Sequence, residues 1–66
     1  MMQPPQIELD LDNDQWSVKD TDYEGSFAYN KHTGQVTINW TANDLPDNWE
    51  DIEHAIHISV TSRLAL

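Results

Sequence analysis

The chain is 66 residues long and carries 12 Asp and Glu against 3 Lys and Arg, for a formal net charge of -9, and it has no Cys. That length allows one small domain and excludes a two-domain enzyme; a core of this size rarely supplies more than roughly 3 to 5 kcal/mol without reinforcement, and disulfides cannot provide it. The acidic balance excludes the usual electrostatics of direct nucleic-acid binding, and the lack of a basic cluster excludes attachment to an anionic membrane surface.

The first residues, Met1 to Gln6, have neither the basic region nor the apolar core of a secretory signal, so the expected location is cytoplasmic. No apolar run approaches the roughly 20 residues of a membrane span. Asn39-Trp40-Thr41 matches the glycosylation acceptor pattern, which means nothing without a secretory route. Pro4-Pro5 marks residues 1–5 as a flexible tail on a single domain covering residues 1–66. Ile7, Leu9 and Leu11 alternate with Glu8, Asp10 and Asp12, which predicts a strand with one face in the core and one in water. After a polar turn, Asp12-Asn13-Asp14-Gln15, Trp16 and Val18 resume the alternation as a short second strand, and Asp20 to Gly25 reads as a turn.

Between Ser26 and Thr41 the sequence predicts a hairpin. Phe27 and Tyr29 alternate before Lys31-His32-Thr33-Gly34, a loop whose Gly can take positive φ, and Val36, Ile38 and Trp40 alternate after it. A four-residue loop sets Tyr29 opposite Val36, Phe27 opposite Ile38 and Trp40 opposite Gly25, pairing aromatic with β-branched side chains and covering a strand Gly with a Trp. Asp44, Pro46 and Asp47 then give the cap residue, early Pro and acid that open a helix, with Glu50 and Asp51 near its positive end. Trp49, Ile52, Ile56, Val60 and Leu64 recur at helical spacing. Ile56, Ile58 and Val60 also alternate as in a strand, but no Gly or Pro between Asp47 and Leu66 offers a turn, so a continuous helix is favoured, with Ile58 pointing away from the core.

The expected fold is therefore α+β, a small antiparallel sheet of three to four strands packed on one C-terminal amphipathic helix. Its expected core is Ile7, Leu9, Leu11, Trp16, Val18, Phe27, Tyr29, Val36, Ile38, Trp40, Leu45, Trp49, Ile52, Ile56, Val60 and Leu64. Homodimerisation through Ile58 or an open sheet edge is a second form of reinforcement for so small a core.

Motifs for chemistry are weak. Asp10, Asp12 and Asp14 match the first positions of a calcium loop, but Gln15 stands where its Gly belongs and Thr21 where its bidentate Glu belongs. His54 and His57, with Glu50 and Glu53 each four residues before one of them, share the polar helix face without the spacing of a zinc protease, so they read as ordinary charge pairing. With no Cys, no phosphate-binding Gly loop and no nucleophile elbow, neither catalysis, a metal nor a cofactor is expected.

The charge itself is the remaining signal. Residues 1–24, 25–43 and 44–66 carry net charges of -6, +1 and -4. Glu8, Asp10 and Asp12 are expected to project from one strand face about 6.6 to 6.8 Å apart, with Asp14, Asp20, Asp22 and Glu24 extending the surface and Asp47, Glu50 and Asp51 forming a second patch. Such an array presents a phosphate-like pattern to a groove lined with Lys and Arg. The functional expectation is a non-catalytic acidic protein that inhibits or regulates a basic, nucleic-acid-handling protein by mimicking nucleic-acid phosphates. In size and charge the chain resembles the small acidic inhibitors made by phages and other mobile elements; no family motif carries that likeness. Two alternatives are a structural or assembly protein that self-associates or docks through a sheet edge, its charge serving solubility, and an antitoxin-like partner that neutralises a basic toxin.

Overall fold

The computed structural model describes residues 5–41 and 43–64. In chain order it contains β1 (Ile7–Asp10), β2 (Gln15–Val18), β3 (Glu24–Asn30), β4 (Gln35–Trp40) and α1 (Trp49–Leu64). The strands form one antiparallel sheet in the order β1-β2-β3-β4. The single helix packs on one face of it, reaching both outer strands, so the fold is α+β. The predicted tail residues 1–4 lie outside the described residues, and Pro5 is half-buried.

Local chemistry explains the register. The β1–β2 hairpin closes on Asp10 opposite Gln15, and the β3–β4 hairpin on Asn30 opposite Gln35, each leaving a loop of the same length. The last loop residue is left-handed in both, Asp14 at φ 55° and Gly34 at φ 74°. An Asx side chain braces each loop from the strand before it: Asp10 Oδ1 accepts the Asn13 N–H at 3.3 Å, and Asn30 Oδ1 accepts the His32 N–H at 2.9 Å. The β2–β3 connection is built differently. The Thr21 N–H donates to the Val18 carbonyl at 3.2 Å, and Asp20 at φ 64° occupies the position of a type II turn that usually needs Gly or Asn. The Thr21 hydroxyl clamps this turn, donating to the Val18 carbonyl at 2.9 Å and accepting the Tyr23 N–H at 3.1 Å.

Alternation then sorts the side chains. Trp16, Val18 and Phe27 from the sheet meet Ile52, Ile56 and Val60 from the helix in a buried core, with Ile7, Leu9, Tyr23, Tyr29, Val36, Ile38, Trp40 and Leu64 packed around it. Trp16, Gly25 and Trp40 are aligned across three strands. Gly25 has no side chain, so the two indoles meet edge to face at 4.8 Å. The predicted hairpin register is observed in full. On the helix, Ile52, Ile56, Val60 and Leu64 make one ridge at four-residue spacing, and the chain is helical where a strand was the competing pattern. Ile58 is 51% exposed, as expected.

Three predicted core residues belong to the surface. Leu11 lies in the β1–β2 loop because the chain must turn after Asp10, and Leu45 and Trp49 are also exposed. Both of the latter follow from a later helix start. Leu45, restricted to extended backbone by Pro46, precedes a single turn in which the Trp49 N–H donates to the Pro46 carbonyl, and the first helical bond runs from Ile52 N–H to Asn48 O at 3.1 Å. Asn48, and not Asp44, therefore stands at the cap. Tyr23, assigned to a turn by the sequence, packs edge-on against Trp40 at 6.1 Å. Among the described residues, no helix is long and apolar enough to cross a membrane.

Candidate partner-binding face

The helix covers one face of the sheet, and the other is open. Cross-strand pairing places Glu8, Ser17 and Glu24 in one row on that open face, and Asp10, Gln15, Ser26 and Asn39 in the next. Adjacent strands are about 4.8 Å apart, so the Glu8 and Glu24 backbones lie roughly 10 Å apart on either side of Ser17, while Glu8 and Asp10 are separated by about 6.7 Å along β1. Together with Gln15 and Ser17 these three carboxylates line an open depression of about 240 Å³. Gln15 and Ser17 were not among the predicted site residues. The signal that could have found them is the alternation that buries Trp16 and Val18, because it turns their neighbours to the opposite face.

The ten acidic residues expected to bind a partner fall into three places. Glu8, Asp10 and Glu24 share the open face. Asp12 and Asp14 do not continue it as strand residues, since β1 ends at Asp10; both lie in the β1–β2 loop beyond it. Asp20 and Asp22 lie in the β2–β3 turn at the opposite end of the sheet, and Asp47, Glu50 and Asp51 lie in the helical layer, just before and within the first turn of α1. Lys19, Asp20, Thr21 and Asn48 line a common depression, so the β2–β3 turn and the helix start are neighbours. The predicted continuous array is thus a cofacial group extended at one end by a loop, with a separate pole of mixed charge at the other.

Some of these carboxylates also do structural work. Asp10 Oδ2 accepts the Asn13 side-chain amide at 2.8 Å. That bond and the backbone N–H groups of Asn13 and Asp12 hold its carboxyl below the ordinary value of 3.8, against a smaller opposing effect of burial. Asp14 and Asp20 occupy left-handed backbone positions where Asp is tolerated better than most side chains. Glu53, expected on the solvated helix face near His57, is instead half-buried and accepts the Trp40 indole N–H at 2.8 Å. His54 and His57 are exposed. Among the described residues, no three His, Cys, Asp or Glu side chains converge as a metal site.

Charge is graded across the open face. The part of it next to the β3–β4 loop, around Ala28, Asn30, Lys31, Gln35 and Thr37, contains no acid and one Lys. The carboxylates sit on the β1–β3 half. No protein-family model, curated protein or solved structure matches the chain.

Proposed function

We propose that this protein is a non-catalytic binding protein that inhibits or regulates a basic, nucleic-acid-handling partner in the cytoplasm, using the carboxylates of its open sheet face in place of nucleic-acid phosphates. The observation that supports this reading is the cofacial placement of Glu8, Asp10 and Glu24 around Ser17 and Gln15. The sheet register fixes the spacing of their backbone positions, so a Lys- or Arg-lined groove meets carboxylates at set intervals. Asp12 and Asp14 extend the negative field beyond the end of β1 and steer encounter.

The test separates the face from charge in general. One variant carries Glu8→Gln, Asp10→Asn and Glu24→Gln; a second carries Asp47→Asn, Glu50→Gln and Asp51→Asn, with the same change in net charge. Affinity capture at low salt, with displacement by added DNA or RNA, is expected to recover a basic protein with the wild type and with the second variant, and to lose it with the first. Equal binding by both variants, or retention that DNA and RNA do not disturb, would overturn the proposal.

A further inference from the structure

The two edges of the sheet differ. β1 is preceded by Pro5 and carries Glu8 and Asp10, a Pro and charges of the kind that keep a sheet edge from pairing with another strand. β4 has no such guard: Gln35–Trp40 contains neither a charge nor a Pro, and it is the other end of the sheet. The Thr41 N–H donates to the Glu24 carbonyl at 3.0 Å, which fixes the alternation along this ladder. The main chain of Gln35, Thr37 and Asn39 therefore faces β3, and that of Val36, Ile38 and Trp40 faces outward from the edge.

We infer that β4 is a self-association edge that pairs antiparallel with β4 of a second copy, joining two sheets into one of eight strands. Charge selects the occupant. Residues 25–43 have a net charge of +1 within a chain of -9, and β4 itself carries no charged side chain. The carboxylate bonded to this strand, Glu53, is half-buried and held by the Trp40 indole, so two copies meet here away from the carboxylates of the open face. The side chains select the register. A twofold axis at Ile38 sets Ile38 against its own copy and Val36 against the partner's Trp40, and the three outward-facing pairs exchange about six main-chain hydrogen bonds, two for each pair. The inward side then gains aromatic and β-branched cross-strand pairs that continue the half-buried row of Val36, Ile38 and Trp40. On the open face, exposed Thr37 lies opposite the partner's Asn39. The carboxylates of the β1–β3 half take no part in this contact, so the inference stands apart from the proposed partner.

Sedimentation equilibrium of the full chain tests it. The wild type is expected to reach twice its 7.6 kDa mass between micromolar and millimolar concentration, more readily as salt screens the repulsion between copies. Thr37→Lys with Asn39→Lys, and Thr37→Glu with Asn39→Glu, alter only solvent-facing side chains; each pair sets like charges opposite one another in the dimer and is expected to weaken it at least tenfold. Mixing the two variants sets Lys against Glu and is expected to restore the dimer. A wild type that stays monomeric at millimolar concentration, either variant dimerising as well as the wild type, or a mixture that fails to recover the dimer would each overturn the inference.

Discussion

Gly25 shows how one residue constrains the whole core. A Cβ there would collide with the Asn39 carbonyl oxygen and lie 2.9 Å from Trp16 Cζ2. Neither neighbour can yield cheaply, since one is backbone and the other belongs to a buried indole packed edge to face against Trp40. Overpacking of this kind costs about 1 to 3 kcal/mol, a large part of what a core this size supplies. Gly25→Ala is therefore expected to lower the urea midpoint sharply or to leave the chain unfolded at room temperature; an unchanged midpoint would mean that the sheet opens here at little cost. Asp20 presents the opposite case. Its left-handed conformation carries a backbone penalty that Gly avoids, so Asp20→Gly is expected to raise stability by up to about 1 kcal/mol, whereas Asp20→Ala keeps the strain. Thermal melts of the two variants should separate in that order. The pairing of Gly25 with Trp40 was legible in the sequence, because the loop ending in Gly34 fixes the β3–β4 register. The approach of Trp16 from the other side was not, since it depends on a β2–β3 turn that uses Asp20 where a reader looks for Gly.

At the scale of the elements, the β1–β2 hairpin and the helix are each held by a carboxylate whose structural role sequence patterns do not reveal. The helix is tied to β4 by the bond from the Trp40 indole to Glu53. The sequence shows Glu53 as one acid among several on a polar helix, and only the position of Trp40 at the end of β4 draws it inward. Losing that acceptor leaves a part-buried indole N–H without this partner, so Glu53→Ala is expected to cost about 1 to 2 kcal/mol, and Glu53→Gln, which keeps an acceptor oxygen, much less. Equal melting temperatures for the two variants would show that the bond contributes nothing. The β1–β2 loop depends on Asp10 in a manner that pH can reveal. Because the folded state lowers the Asp10 pKa through its bonds to Asn13, the stabilisation is present above the unfolded-state value of about 3.9 and is lost as pH falls through the lower folded value. The melting temperature of Asp10→Ala should lie below that of the wild type at pH 7, and the gap should narrow as pH falls below about 4. A gap that persists at acid pH would assign the effect to packing or loop conformation instead of the ionised carboxylate. The helix itself was legible from the spacing of Ile52, Ile56, Val60 and Leu64. Its starting point was not, because Asp44 and Pro46 form a convincing opening while the chain first makes an extra turn before Asn48.

Over the whole molecule, a charge of -9 is spread on a body of 34 × 26 × 18 Å. The sequence reveals how much charge each segment carries but not which carboxylates share a surface, since that depends on where each strand ends and on which layer an element joins. Glu8 and Glu24 are far apart in the chain and become cofacial only because β2 runs between their strands. The radius of gyration, 11.6 Å, is close to the Debye length of about 10 Å at 0.1 M salt, so at low ionic strength nearly every carboxylate acts on every other, and salt removes most of that repulsion. Unfolding spreads the same charges over a larger volume, so self-repulsion weighs against the compact state. The melting temperature is therefore expected to rise steadily between about 10 mM and 0.5 M sodium chloride, while the proposed carboxylate-mediated binding weakens over that range and edge pairing through β4 strengthens. Two responses rise with salt and one falls because they draw on different charges: screening relieves self-repulsion in the fold and repulsion between copies, and weakens attraction to a cationic groove. A melting temperature that falls with salt would mean that favourable local electrostatics, such as the placement of Lys19 beside Asp20 in the β2–β3 turn, outweigh the net charge, and the acidic surface would then contribute to folding as well as to any partner.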